Sequence, residues 1–256
     1  MIVIISPSKT LDFTNKVNAE YSRPEFLAET YELILALRKL SKDDISNLMN
    51  LSEKLSALNY QRYHDFSETF TLENSCQAIY AFKGDVYDGL AVDSYNEKDI
   101  IYVNKHLRII SGFYGLLRPL DLIQAYRLEM KTKLVNHKSN DLYAYWGNKI
   151  TTKLNELLRS KDNNTLVNLA STEYSKVVNP KILRATIITP IFKEKKGATE
   201  KIVTLFVKRA RGAMASYIIK NRINTIDGIK EFHENGYKFH ESKSLDGQLV
   251  FVRESL

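Results

Sequence analysis

The order of hydrophobic patterns along the chain is the feature that most constrains its fold. Apolar residues have helical spacing in three segments of the first 160 residues. The segments run from Pro24 to about residue 39, over residues 43–65 with Ser52 as an internal cap, and most clearly over residues 141–159. A short apolar run at residues 2–5 predicts a buried strand that precedes these helices. The first 160 residues are therefore predicted to be mainly helical.

Strand patterns dominate the remainder. Residues 165–171 predict a buried strand, and residues 185–208 predict a hairpin that turns near Gly197. A second hairpin is predicted over residues 237–253, where Asp246-Gly247 is a strong two-residue turn signal. Helices and strands that are largely segregated along the chain indicate an α+β fold.

The composition indicates one continuous domain over residues 1–256. The chain has ten glycines and five prolines, and we find no internal repeat, low-complexity tract or flexible linker. Its single cysteine, Cys76, is interpreted as a small buried hydrophobe, with a redox thiol as the alternative. The first apolar stretch is too short for a signal or membrane segment, so a soluble cytoplasmic protein is expected.

The charge distribution points to a polyanionic partner. The formal net charge is +7, and two segments concentrate it. Residues 193–222 contain nine bases and two acids, and residues 105–138 contain seven bases and two acids. Such concentration favours nucleic acid or nucleotide phosphate as a ligand. The alternative is two solvated faces that keep the protein soluble.

The common catalytic and cofactor signatures are absent from the sequence. The stretch "SPSKT" at residues 6–10 ends like a phosphate-binding loop but lacks both glycines, so Lys9 is only a candidate phosphate contact. The five histidines are scattered at spacings that do not predict a metal site. We therefore predict neither a metal nor a cofactor.

The segment "SGFYGLLRPLDL" at residues 111–122 predicts a glycine turn that leads into a helix. Pro119 suits the first helical position, and Asp121 suits the first turn. Gly112 and Gly115 would allow the backbone to approach a phosphate at the start of that helix. The alternative is a glycine turn in which an Arg118–Asp121 pair holds a loop.

The second basic segment predicts a helix over residues 207–220 with a solvent-facing basic stripe. Gly212 inside this helix requires a reason, such as close approach of a partner; the alternative is that it marks the start of a helix after a basic loop. The predicted stripes are Lys208, Arg211 and Ala215 toward solvent, flanked by Arg209 and Lys220, and Phe206, Ala210, Met214 and Tyr217 toward the core.

Eight short motifs, taken in order, resemble the peroxide-stress YaaA family from end to end. They are "SPSKT", "FKGDVYDGL", "SGFYGLLRPLDL", "YRLEM", "LYAYWG", "NLASTEY", "ARG" and the closing "GQLVFVR". One departure is Ala125 before Tyr126, where the family often has proline.

The resemblance implies a cytoplasmic bacterial protein that limits peroxide damage to DNA, with lowered free iron. It also implies a single compact α+β domain of the YaaA type, with a mixed sheet, β-hairpins, surrounding helices and a helix-hairpin-helix-like element. The partner it implies is double-stranded DNA, bound in a basic cleft; no obligate protein partner and no membrane are expected. The candidate DNA or phosphate contacts are Lys9, Lys83, Gly112, Gly115, Arg118, Arg127, Lys208, Arg209 and Arg211.

Carboxylates in the same motifs keep a second function open. Asp85, Asp121 and Glu129 repel phosphate, whereas carboxylates beside arginines and lysines suit acid–base chemistry. They also resemble ordinary buried ion pairs. The alternative function is therefore an enzyme acting on a nucleotide or on damaged nucleic acid, with these three residues as catalytic candidates.

Overall fold

A mixed sheet of eight strands lies at the centre of this computed structural model, which describes residues 1–14, 20–160 and 163–254. Its strand order is β11-β12-β9-β8-β1-β5-β6, and β10 pairs with β9. The strands are β1 (Ile2–Ile5), β5 (Leu107–Ser111), β6 (Gly115–Leu117), β8 (Thr165–Asn168), β9 (Thr186–Lys196), β10 (Thr199–Lys201), β11 (Lys238–Phe239) and β12 (Gln248–Glu254). Two small antiparallel pairs lie outside this sheet: β2 (Thr10–Leu11) with β4 (Phe82–Lys83), and β3 (Cys76–Gln77) with β7 (Leu122–Ile123).

Helices flank the sheet. They are α1 (Leu27–Leu37), α2 (Lys42–Met49), α3 (Glu53–Asp65), α4 (Ala78–Ala81), α5 (Asp85–Leu90), α6 (Glu97–His106), α7 (Leu142–Trp146), α8 (Lys149–Arg159), α9 (Thr172–Ser175), α10 (Thr204–Lys220) and α11 (Ile226–Lys230). Short 3-10 turns occupy Val92–Ser94, Glu234–Gly236 and Glu241–Lys243. Within the described ranges, none of these helices is both long enough and apolar enough to cross a bilayer.

The middle of the sheet is parallel and buried. Strand β1 pairs in parallel with β5 on one side and with β8 on the other, and β9 and β12 continue the parallel order. All four residues of β1 are buried, which explains its uninterrupted apolar sequence. The α+β class and the mixed sheet are thereby confirmed.

Both hairpin turns are confirmed, but the first hairpin is shorter than predicted. Leu245 and Gln248 exchange backbone hydrogen bonds of 3.1 and 2.9 Å around the Asp246-Gly247 turn. The strand after Gly197 ends at Lys201, and α10 begins at Thr204. The prediction of a strand through residue 208 is wrong, because the helical spacing of apolar residues in α10 extends back to that point.

The helical predictions are correct in position, but two of the helices divide. Residues 43–65 form α2 and α3, separated by Asn50, which has a left-handed backbone with φ 51°. Ser52 caps α3 as predicted, since its side chain accepts a hydrogen bond from the Leu55 N–H. Residues 141–159 divide into α7 and α8 at Gly147, which has φ 47°. Trp146, the last residue before this break, donates its indole N–H to the Gly112 carbonyl at 3.0 Å.

The prediction of a helix that begins at Pro119 is wrong. Residues 118–121 form a turn, and the described chain contains no helix from there to Asp141. The Asp121 carboxylate accepts hydrogen bonds from the Arg118 N–H at 2.8 Å and from the Ser22 hydroxyl at 2.6 Å. These side-chain hydrogen bonds stabilise the turn in competition with a helix.

Gly112 and Gly115 pack against the protein's own core. A Cβ on Gly112 would lie 2.5 Å from the Leu128 carbonyl oxygen, and one on Gly115 would lie 2.7 Å from the Trp146 ring. Gly115 also has φ 70°. Both positions need glycine because buried neighbours leave no room for a side chain.

The basic helix α10 is more deeply buried than predicted. From Gly212 to Ile219 every residue is buried, because α10 packs against α5, α6, β9 and β1. Ala215 is buried and Arg211 is half-buried, so the predicted solvent-facing stripe is wrong for these two positions. The partner that approaches Gly212 closely is α5 of the same chain.

Candidate functional site

A cleft of about 570 Å³ opens at the carboxyl ends of β1 and β8. Residues 6–10 follow β1, residues 171–174 follow β8, and residues 83–87 join β4 to α5. The first half of α10 and the residue Ile202 before it form the remaining wall. From this last segment the cleft is lined by Ile202, Thr204, Val207, Lys208 and Arg211.

The sheet topology places this cleft at a switch point. Strand β1 continues along the chain to β5 on one side, whereas β8 continues to β9 on the other side. Adjacent parallel strands whose connections diverge leave a crevice outside their carboxyl ends, and ligands of such sheets bind there. The fold itself therefore supports a binding site at this position.

Hydrogen bonds of Ser6 hold the walls of the cleft together. Its hydroxyl accepts from the Ser171 N–H at 2.9 Å and donates to the Ser171 hydroxyl at 3.3 Å. Its carbonyl accepts from the Tyr87 hydroxyl at 3.1 Å. One serine thus connects the segments after β1 and β8 to α5.

Four cationic side chains line the cleft: Lys9, Lys83, Lys208 and Arg211. Lys83 lies in β4, opposite Thr10 of β2. Lys208 Nζ is 3.6 Å from the Asp85 carboxylate, which begins α5. These four are candidate phosphate contacts from the sequence, and the fold brings them together.

Arg211 is half-buried, whereas Lys9 and Lys208 are exposed. Its Nε is buried and has no hydrogen-bond partner among the described residues. Burial lowers the pKa of Arg211 below its ordinary value. A guanidinium nevertheless stays protonated in proteins, so its charge faces the cleft with little solvation.

A second, much smaller pocket adjoins the cleft at Lys9. Its wall contains Arg127 and Glu129, and Lys9 Nζ lies 2.9 Å from a Glu129 carboxylate oxygen. Arg127 contacts the same oxygen at 3.0 Å. Burial alone would raise the pKa of Glu129, but Lys9 and Arg127 together lower it below the ordinary value. Glu129 therefore orients two of the candidate phosphate contacts.

The other candidate site residues lie elsewhere. Gly112 and Gly115 are buried at the β5–β6 turn, and Asp121 is buried against Ser22 and Arg118. Arg118 also donates to the Arg23 carbonyl at 2.8 Å. Arg209 is exposed on α10 and is not among the residues that line the cleft. Of the three carboxylate candidates, Asp85 alone lines the cleft, within the described part of the chain.

Hydroxyl-bearing residues of the cleft were missed by the sequence-based selection. They are Ser6, Ser8, Thr10, Tyr87, Ser171, Thr172, Tyr174 and Thr204. Two of the motifs, "SPSKT" and "NLASTEY", directly follow buried parallel strands. A run of serines and threonines at the carboxyl ends of two such strands was the available signal.

The arrangement suits an anionic ligand with an apolar part. Four cations and several hydroxyls can bind phosphate oxygens, while Pro7, Val86 and Val207 provide apolar wall. Burial raises the pKa of Tyr87 well above its ordinary value, so its hydroxyl stays protonated and keeps donating to the Ser6 carbonyl. Among the residues that the structure describes, no group of His, Cys, Asp and Glu could hold a metal ion.

Comparisons with known proteins find similarity over nearly the whole chain. Residues 1–243 match the family model described as peroxide stress protein YaaA. A UPF0246 protein of Aliivibrio fischeri strain ES114 is 48% identical over 255 residues, which cover 99% of this chain and 98% of the relative. A UPF0246 protein of Burkholderia cenocepacia strain HI2424 is 48% identical over 256 residues, with the same coverage of both chains. The family match includes every segment that lines the cleft.

Proposed function

This chain belongs to the peroxide stress protein YaaA family, and from that premise we propose that it binds double-stranded DNA through the cleft. The observation that carries the proposal is the convergence of Lys9, Lys83, Lys208 and Arg211 on one cleft at the switch point of the sheet. Cations from separate segments of a chain gain nothing from proximity to one another. Glu129 lies beside Lys9 and Asp85 beside Lys208, and a polyanion would neutralise the positive charge that remains in the cleft.

Bound DNA explains a role in peroxide stress and does not require a catalytic step. Duplex phosphates hold a condensed layer of counterions, and each Lys or Arg contact releases some of them. Iron(II) ions held in this layer would generate oxidants from peroxide next to the DNA. In our proposal a protein that displaces them in the cytoplasm limits iron-dependent damage.

The salt dependence of duplex binding tests the proposal. We expect nearly sequence-independent affinity that falls with salt at a log–log slope of roughly −0.9 per neutralised phosphate. The triple variant Lys83→Ala/Lys208→Ala/Arg211→Ala removes three of the four cleft cations and should flatten the slope by about 0.9 for each phosphate that they neutralise together. Fluorescence anisotropy of a labelled duplex across a salt series measures it.

A matched control variant loses the same number of positive charges at positions outside the cleft. Lys39, Lys54 and Lys98 are exposed on helices or at a helix end, outside the cleft lining. Their triple alanine variant should keep the original slope. Equal slopes for the two triple variants, with melting temperatures near that of the unmodified protein, would refute binding through the cleft.

One observation favours a second function, an enzyme that acts on a nucleotide or on damaged nucleic acid. The Asp85 carboxylate lines the same cleft, 3.6 Å from Lys208. A carboxylate inside a phosphate-binding cleft weakens binding unless it has a task, and proton transfer is such a task. The two functions differ in whether that carboxylate is needed.

A further inference from the structure

The size of the cleft sets a limit on which part of a DNA molecule can enter it. A volume of about 570 Å³ lies within the range of small-molecule pockets. A base-paired duplex cannot enter a space of this size, whereas one nucleotide can. The half-buried Arg211 is among the residues that line this space.

The walls of the cleft match the parts of a single nucleotide. Lys83, Lys208 and Arg211 can take a phosphate, and the hydroxyls of Ser8 and Thr172 can take sugar or base edges. Val86 and Val207 provide an apolar surface for the face of a base. Phosphate recognition alone requires no such apolar wall.

Ile202 lines the cleft, and Leu205 follows the cleft-lining Thr204 in the chain; both are exposed apolar side chains between basic ones. Ile202 is 63% exposed and Leu205 is 46% exposed, at the start of α10. The exposed Lys201, Lys208 and Arg209 flank them. Isoleucine and leucine side chains presented in this way are used by DNA-binding proteins as wedges that unstack a base step.

We propose that Ile202 and Leu205 insert into the base stack of bound duplex and that one nucleotide swings out into the cleft. This inference rests on the proposed DNA binding and specifies the ligand of that site as a single extruded nucleotide. Extrusion costs least at mismatched or damaged bases, which no longer pair well. The cleft therefore selects weakened base pairs, the kind of site that oxidative damage creates.

Fluorescence of 2-aminopurine tests the extrusion directly. A short duplex carries this base opposite a mismatched partner, and its fluorescence rises when the base leaves the stack. We expect saturating protein to raise the signal, and the mismatched duplex to bind on the order of tenfold more tightly than the matched one. Anisotropy of an end-labelled duplex records affinity in the same samples.

The wedge is tested by Ile202→Ser/Leu205→Ser against a matched variant, Leu58→Ser/Ile101→Ser. Leu58 and Ile101 are 44% and 47% exposed on α3 and α6, outside the cleft lining. The wedge variant should lose the fluorescence rise but keep duplex affinity within about tenfold, because phosphate contacts dominate affinity. The matched variant should keep both properties.

The outcomes separate this inference from the function on which it rests. Duplex binding without a fluorescence rise overturns extrusion and leaves DNA binding standing. A rise that survives in the wedge variant overturns the wedge. Absence of duplex binding overturns both. Binding of 2′-deoxyadenosine monophosphate as tightly as duplex, without a rise, shows that the cleft takes free nucleotides and overturns the inference.

Discussion

Asp121 and Glu129 are both buried carboxylates, but their surroundings shift their pKa values in opposite directions. Burial raises the pKa of Asp121, and the hydrogen bonds from Ser22 and Arg118 only partly offset this. For Glu129 the effect of burial is smaller than that of Lys9 and Arg127, so its pKa falls. The difference is that Glu129 has three close cations, Lys9, Arg127 and Lys131, and Asp121 has one.

We therefore expect the stability lost in Asp121→Asn and in Glu129→Gln to vary with pH in opposite directions. The Asp121 carboxyl has a raised pKa in the folded state, so it stabilises the folded protein below the unfolded-state pKa of 3.8. This stabilisation is lost as pH rises. The Glu129 carboxyl has a lowered pKa in the folded state, so it stabilises the folded protein above the unfolded-state pKa of 4.5. This stabilisation is lost as pH falls. The deficit of Asp121→Asn should thus be largest in acid, and that of Glu129→Gln should be smallest there.

Urea unfolding at about pH 3 and about pH 7 measures both deficits. At neutral pH the Asp121→Asn change should cost about 2 kcal/mol, because the N–H and guanidinium donors of Arg118 lose their charged acceptor. That corresponds to a melting temperature roughly 4–8 °C lower. Deficits that change with pH in the same direction would contradict the pKa assignments.

Single residues also show what the sequence could not predict. Lys9, Lys83, Asp85, Lys208 and Arg211 were identified because charged residues in motifs are visible without a fold. Asp121 was assigned to the first turn of a helix, since Pro119 precedes it. The hydrogen bond that instead fixes its turn comes from Ser22, which is 99 positions away in the chain. Local pattern contains no information about such a partner.

At the level of elements, the contact between α5 and α10 fixes the relative position of Asp85 and Lys208. Gly89 of α5 faces the backbone of α10, and Gly212 of α10 faces the backbone of α5. A Cβ on Gly89 would lie 2.1 Å from the Arg209 carbonyl oxygen, and one on Gly212 would lie 1.9 Å from that of Val86. The glycines allow the two backbones to meet directly. One wall of the cleft therefore depends on the absence of two side chains.

Gly212→Ala should separate these helices even though alanine is the better helix former. The clash is with backbone, which cannot rotate away, so we expect a loss of about 3 kcal/mol and weaker duplex binding. The matched change is Gly197→Ala in the β9–β10 turn, where no heavy atom lies within 4 Å of the new Cβ. Its φ of 60° makes that change cost only about 1–2 kcal/mol.

Thermal melting and duplex anisotropy of the two alanine variants provide the comparison. Gly212→Ala should lose affinity at temperatures where it is still folded, whereas Gly197→Ala should not. A Gly212→Ala protein as stable as the unmodified one would show that α5 and α10 can move apart freely. The sequence indicated that Gly212 needed a close neighbour, but it did not indicate that Gly89 of the same chain was involved.

Over the whole molecule, the site depends on strands that are distant in the chain. The hydroxyls of Ser6 and Ser171, which connect the ends of β1 and β8, are 165 positions apart. Hydrophobic patterns predicted each strand separately and the α+β class, which the resemblance to a family also implied. Neither revealed that β1 and β8 are neighbours whose connections diverge, because strand order follows from long-range packing. The switch point, and the cleft with it, became visible only in the folded chain.

The variant Asp85→Asn distinguishes the two proposed functions of the whole protein, DNA binding and catalysis. The change removes the charge and nearly keeps the shape. If protection follows from binding, Lys208 loses a competing carboxylate, so duplex affinity should hold or improve. Bacterial cells that carry this variant should then survive peroxide as well as cells with the unmodified protein. If Asp85 transfers a proton, its loss reduces the rate by about 10²–10⁴, and survival should fall although affinity and melting temperature hold.

The matched control is Asp88→Asn, an exposed aspartate on the same helix that does not line the cleft. Survival is measured at equal protein levels, beside nicking of plasmid DNA by iron(II) and peroxide with each purified protein. We expect Asp85→Asn and Asp88→Asn to protect equally in both assays, because in the proposed function binding alone displaces iron from the phosphates. Loss of protection in Asp85→Asn alone, with plasmid protection intact, would mean that binding is insufficient in cells and that the carboxylate performs a reaction.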